Sequence, residues 1–149
     1  MTINELHIQL DLQPENKIGI LEDAATKCNE GYLFVDSSDG HCYLFDRNGN
    51  EDDVKKLKKI TNNAFCNCRS LESIIIPDSV QNIENCAFGW CTSLKSIIIP
   101  DSVKSIRYLA FVYCESLKSL SFKGKTMEQV KAMKNYPFGI KDESIIRCI

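Results

Sequence analysis

Apolar positions in this chain follow a long period in its middle and short ones at its ends. From Ile60 the string ITNNAFCNCRSLESIIIPDSV returns as IENCAFGWCTSLKSIIIPDSV at Ile83 and as IRYLAFVYCESLKSLSF at Ile106. Phe65, Phe88 and Phe111 recur at intervals of 23 residues, as do Cys68, Cys91 and Cys114, and Leu71, Leu94 and Leu117. A fixed period in the low twenties marks one small unit stacked on copies of itself. Within the unit, Ile74 and Ile76 alternate with Ser73 and Ile75, which predicts a short strand with the first pair inward and the second outward. Pro77 closes that strand because it has no N–H for the ladder. Asp78-Ser79 turns the chain, and Val80 and Ile83 bring it back to the core. The Ala-Phe pair begins the opposite limb, where a short helical turn fits.

The flanks carry shorter rhythms. Residues 3–12 alternate as a strand, and Pro14 opens a helix carrying Ile18, Leu21, Ala24 and Ala25. GYLFVD and HCYLFD around SSDG form a hairpin signal, and a short helix is predicted around Val54, Leu57 and Ile60. Past Phe122, where SLSFKG replaces SIIIPDSV, Thr126 and Gln129 frame a capping box for a helix TMEQVKAMKN with Met127, Val130 and Met133 on one face. Residues 144–149 read as a last strand. The chain thus divides into residues 1–59 as an α+β N-terminal cap, 60–122 as repeats and 123–149 as a helix-strand C-terminal cap, since terminal copies need their apolar faces covered.

The AFxxCxxLxxIxIPxSVxxI pattern over Ile60–Phe122 resembles the BspA-type (Treponema-type) leucine-rich-repeat family. That resemblance implies a short right-handed solenoid of about three repeats, with strands in a parallel sheet. It also implies a role in adhesion or protein recognition.

Composition narrows the function. With 44% apolar and 26% charged residues in 149, the chain has a globular balance, and a net charge of -2 gives no footprint for nucleic acid or an anionic membrane. The N-terminal MTINELHIQLDLQPEN has no basic start and no unbroken apolar run, which predicts a cytoplasmic protein, or a secreted one if a leader has been trimmed. The eight cysteines are accordingly expected as thiols. Of the two histidines, His7 has no partner by spacing, and His41 adjoins Cys42, which a strand would point to the opposite face. Cys66-x-Cys68 is too tight for a zinc knuckle, and only a grouping of Cys28, His41 and Cys42 offers an alternative. The acidic Glu51-Asp52-Asp53 lacks the ligand spacing of a calcium loop and suits a helix N-terminus. No enzyme, metal or cofactor is predicted.

What remains is surface. The strand side should expose Ile75, Ile98 and Ser121, flanked by Glu72, Lys95 and Lys118. The second candidate face lies between the Phe and Cys columns, where the copies differ: Cys66-Asn67, Gly89-Trp90 and Val112-Tyr113. Trp90 and Tyr113 should stack there, with Arg107 and Tyr108 in the preceding corner, and these types dominate interface hot spots. The candidate partner-binding residues are therefore Trp90, Tyr113, Tyr108, Arg107, Ile75, Ile98 and Lys95. A protein-binding module is the leading function. The alternatives are a phage-type or host-directed inhibitor docking on an enzyme, and a self-assembling or surface adhesion protein that forms homo-oligomers.

Overall fold

Each 23-residue copy contributes one stretch of alternating side chains, and in the computed structural model of the protein, which describes residues 32–36, 39–46 and 48–149, these stretches lie side by side. Strand β6 (Ser96–Ile99) pairs in parallel with β8 (Ser119–Phe122), matching Ser96 to Ser119 and Ile99 to Phe122. The register offset is the repeat length itself. On one side Ile75 bridges to Ile98 in parallel, and on the other β9 (Ile146–Cys148) joins β8. Ile74, Ile76, Ile97 and Ile99 are buried while Ile75 and Ile98 are exposed, the alternation a pleated strand imposes. Ser121 departs from the expected exposed row and is buried. Its small side chain sits at a register position between Ile98 and Arg147, longer groups on the two flanking strands.

A second parallel sheet was not anticipated. It joins β4 (Lys59–Ile60), β5 (Asn82–Ile83) and β7 (Ser105–Ile106), and aligns Ile60, Ile83 and Ile106. Ile60, assigned by periodicity to a short helix, is thus a strand residue. The helix shrinks to a 3-10 turn at Val54–Lys56, capped by the Asp53 carboxylate, which accepts from the Lys55 N–H at 3.0 Å. Glu51–Asp52, expected at a helix start, form β3, paired antiparallel with β2 (Cys42–Phe45).

The predicted hairpin is β1 (Tyr32–Val35) against β2. It is fastened to the first copy by Gly40, whose carbonyl accepts from the Ile75 N–H at 2.7 Å. Gly40 has φ of +81°, and a Cβ there would stand 3.0 Å from the Ile74 Cα, so both conformation and proximity call for glycine. The predicted strand over 3–12, the helix from Pro14, and Cys28 lie outside the described residues.

Inside the stack, Phe65, Phe88 and Phe111 form a column with ring centroids 5.4 Å apart at each step and interplanar angles of 12° and 2°. The Ala-Phe limb is a run of turns rather than a helix. Alternate N–H groups reach across to the next copy, Phe65 donating to Ala87 O at 2.7 Å and Phe88 to Ala110 O at 2.9 Å, while those between turn back along the chain, as Cys66 does to Asn63 O at 3.1 Å. The cysteine column has a polar task as well as an apolar one. The Cys91 thiol donates to Phe65 O at 3.1 Å and the Cys114 thiol to Phe88 O at 3.0 Å, a second bond across the layers to carbonyls that also accept from the Cys68 and Cys91 N–H groups. None of the seven described cysteines is in a disulfide.

The C-terminal segment opens with α1 (Met127–Lys131), framed by the expected capping box of Thr126 and Gln129. The helix is shorter than the pattern suggested. Asn135 takes φ of +71°, and the chain then runs through Pro137 to Phe138, whose carbonyl accepts from the Phe111 N–H at 3.0 Å. A 3-10 turn at Glu143–Ile145 precedes β9, so the last strand starts two residues later than expected.

Two predictions follow from this core. Phe88→Ala removes the middle ring of the column and should lower unfolding free energy by about 3–5 kcal/mol in urea titration. The thiols give a pH dependence. Burial pushes Cys42 from its ordinary 9.0 up to about 12, with the Asp39 carboxylate adding to it, and burial pushes Cys114 up to about 12 and raises Cys91 likewise. The unfolded chain releases these protons near pH 9 while the folded chain keeps them. Their contribution is therefore intact below pH 9 and fades as pH rises toward 12, by up to about 1.4 kcal/mol per pH unit for each thiol. Urea unfolding at pH 7, 9 and 10 should show the fall, and Cys42→Ala/Cys114→Ala should flatten it.

Candidate functional site

The corner before each ladder cysteine is built the same way in all three copies. Asn67, Trp90 and Tyr113 adopt φ of 63°, 57° and 55°, a left-handed conformation that lets the chain turn back toward the strand. Asparagine tolerates this geometry, whereas bulky side chains adopt it at a cost of about 1–2 kcal/mol each. From this corner the Asn67 N–H donates to Gly89 O at 2.9 Å and the Trp90 N–H to Val112 O at 2.8 Å. The fold thus fixes the backbone here and leaves the side chain free to point outward.

Trp90 and Tyr113 use that freedom together. Their rings lie 5.2 Å apart at 31°, and they are 37% and 45% exposed. Lys141 also lies over Tyr113, its Nζ 5.1 Å from the ring centroid, a cation–π distance. Lys141 escaped the sequence reading because it comes from the irregular tail, where no period places it opposite Tyr113. Gly139 brings the tail in: with φ of +87°, it lies so close that a Cβ would meet the Val112 N at 3.0 Å.

The neighbouring corner is only partly assembled. Tyr108 is 65% exposed but makes no ring contact with Trp90 or Tyr113. It occupies the register position of Asn62 and Asn85, whose side-chain oxygens accept from the N–H groups of Asn85 and Leu109 at 3.1 and 3.2 Å. Arg107 is turned to its own array: its Nε lies 3.2 Å from Glu84 Oε2. The expected grouping therefore splits into a Trp90–Tyr113 pair and a separate Tyr108 corner.

On the strand side, Ile75 and Ile98 are 61% and 53% exposed and adjacent through their bridge. Lys95, beside them in the repeat, pairs with Glu72 at 3.3 Å, an exposed ion pair of small energetic weight. A shallow cavity of about 340 Å³ runs along this face, bounded by Ile75, Ile98, Asp78, Pro100 and Lys123. Six large apolar side chains are exposed among the described residues, and five of them are Ile75, Ile98, Trp90, Tyr108 and Tyr113. Among the described residues, surface apolarity is thus concentrated on the repeats.

Among the described residues no three His, Cys, Asp or Glu side chains gather as a metal site would require. His41 packs edge-on against Tyr43 at 4.6 Å. The Cys42 thiol turns away to donate to Ile75 O at 3.3 Å. Among the described residues no helix is long and apolar enough to cross a membrane.

No curated protein and no solved structure matches the chain. The family model for the BspA type leucine rich repeat region (6 copies) matches residues 55–142, well over half of the sequence. With the 23-residue register, the phenylalanine column and the paired strands, that match shows that the chain belongs to the BspA-type leucine-rich-repeat family.

Proposed function

We propose that the protein is a non-catalytic binding module that recognises a protein partner through the exposed surface of a short solenoid, with the Trp90–Tyr113 pair as its anchor. Leucine-rich repeats of this kind are generally protein-interaction modules and typically lack catalysis. In this reading residues 60–122 carry the repeats, and residues 1–59 and 123–149 cap them.

The observation that carries the proposal is the conformation of Trp90 and Tyr113. Both sit at left-handed positions where Asn67 shows the relaxed choice, and both leave much of their rings in water. Neither backbone preference nor core packing calls for an aromatic there. A rigid pair of rings with few rotatable bonds is what a protein contact favours, because little side-chain entropy is lost on binding. Ile75 and Ile98 form a second apolar row rimmed by Lys95, Glu72 and Ser96, a secondary contact beside the aromatic anchor. The buried thiols support the absence of nucleophilic chemistry, since Cys42 and Cys114 stay protonated at neutral pH.

Affinity capture from cell lysate, followed by mass spectrometry, tests the reading. Trp90→Ala/Tyr113→Ala should reduce retention of the captured partner at least about tenfold, as hot-spot loss does. Ile75→Lys/Ile98→Lys should weaken it less. Thermal unfolding of the aromatic variant should stay well above that of Phe88→Ala, because the indole is already 37% exposed. Retention unchanged by the aromatic pair, in folded protein, removes the proposed anchor.

A further inference from the structure

The interlayer ladder along the Phe limb thins toward the C-terminus. Asn63, Phe65 and Asn67 donate from the first copy to the second, and Phe88 and Trp90 from the second to the third. From the third copy only Phe111 donates onward, to Phe138 O. Tyr113 has the same left-handed φ as Trp90, yet its N–H finds no acceptor among the described residues. The tail has veered away after Gly139, and a cavity of about 390 Å³ opens beside Tyr113.

The cavity has a definite chemistry. Leu117 and Ile140 are buried in its floor and Ile145 is half-buried, while Tyr113 forms an aromatic wall. Glu115 and Asp142 line it with carboxylates against the single ammonium of Lys141. The Glu115 carboxylate makes no ion pair or hydrogen bond among the described residues. Asp142 uses only Oδ1, which accepts from the Ser144 N–H at 3.0 Å and its hydroxyl at 2.6 Å. Those two bonds hold its carboxyl below the usual range, so it is ionised at neutral pH. Lys141 lies on the Tyr113 ring and forms an ion pair with neither acid. An apolar floor, an aromatic face that already holds a cation, and two carboxylates with open oxygens together complement a cation on an alkyl stem.

We propose that this cavity receives an arginine side chain of the protein partner, its guanidinium stacked on Tyr113 between Glu115 and Asp142. The arginine stem covers Ile140 and Ile145, and Lys141 is displaced from the ring. Arginine suits the site better than lysine because its planar fork can both lie on a ring and meet carboxylates with paired hydrogen bonds. The unused Tyr113 N–H is placed to donate to the partner's main-chain carbonyl. This inference rests on the reading of the Trp90–Tyr113 column as the contact face, and it names what that partner must present.

The test uses the full ¹⁵N-labelled chain titrated with N-acetyl-arginine amide, with the citrulline analogue as a neutral isostere. Arginine should shift the amides of Tyr113, Glu115, Lys141 and Asp142, and citrulline should leave them still. Glu115→Gln/Asp142→Asn, which keeps the cap on Ser144, should weaken arginine about tenfold. Lys141→Met, which vacates the ring, should strengthen it about threefold. Equal shifts from citrulline, arginine shifts elsewhere on the surface, or no response in a folded protein each overturn the assignment. Arginine-specific shifts combined with capture insensitive to Trp90→Ala/Tyr113→Ala would overturn the contact-face reading while leaving the chemistry of the cavity in place.

Discussion

A single copy of this repeat can bury neither its phenylalanine nor its backbone polar groups, and everything else in the molecule depends on that insufficiency. Phe88 is enclosed because Phe65 and Phe111 lie 5.4 Å away on either side. The carbonyls of Phe65 and Phe88 each accept twice, from the N–H of the cysteine three residues on and from the thiol of the following copy, so the thiols tie one layer to the next. Cysteine suits that position because it is small, tolerates burial and can still donate a weak hydrogen bond. The repeat interval is therefore a bonding constraint as much as a packing one. A copy longer or shorter by one residue would place donors opposite the wrong acceptors throughout the limb.

Such an array needs distinct ends, and the two are finished differently. At the first copy, the β1–β2 hairpin docks through Gly40 and the Cys42 thiol onto Ile75, extending the hydrogen bonding of the strand face. At the last copy, β9 continues the strand sheet, while the Phe limb is met by a main-chain bond from Phe111 to Phe138 and by the close approach of Gly139 to Val112. One side of the stack is thus closed and the other is left ajar beside Tyr113. The candidate chemistry sits where closure is incomplete: among the described residues the Tyr113 N–H and the Glu115 carboxylate make no hydrogen bond, and Asp142 accepts through Oδ1 alone.

The same constraint explains where variation is possible. Between the Phe and Cys columns, Asn67 and Trp90 are held by main-chain bonds to the next copy, so their side chains are not needed for cohesion. Asn67, Trp90 and Tyr113 share one backbone conformation with three side chains of different chemistry. The register position of Asn62, Asn85 and Tyr108 behaves in the same way, except that the asparagines also cap the following copy. Tyr108 gives up that capping role and stands out into solvent.

Legible in the sequence alone are the period, the inward Ile74 and Ile76, the phenylalanine and cysteine columns, and the outward Ile75, Ile98, Trp90 and Tyr113, although in the first copy the expected strand is reduced to a single bridge at Ile75. All of these follow from side-chain spacing repeated identically, which is local information multiplied by copy number. It misread features that hang on long-range pairing. Periodicity places Ile60 in a helix because a two-residue strand has no period of its own; its partner Ile83 makes it a strand. Alternation places Ser121 on an open face, whereas it is buried at a register position between Ile98 and Arg147. Arg107 was given to a partner because its type suits interfaces, whereas Glu84 in the adjoining layer holds it. The tail shows the limit most clearly. Nothing in its spacing puts Lys141 on the ring of Tyr113 or opens a cavity between Glu115 and Asp142. Tertiary structure alone decided this, because an irregular segment is positioned by what it docks against, through Phe138 and Gly139, and not by any repeat it contains.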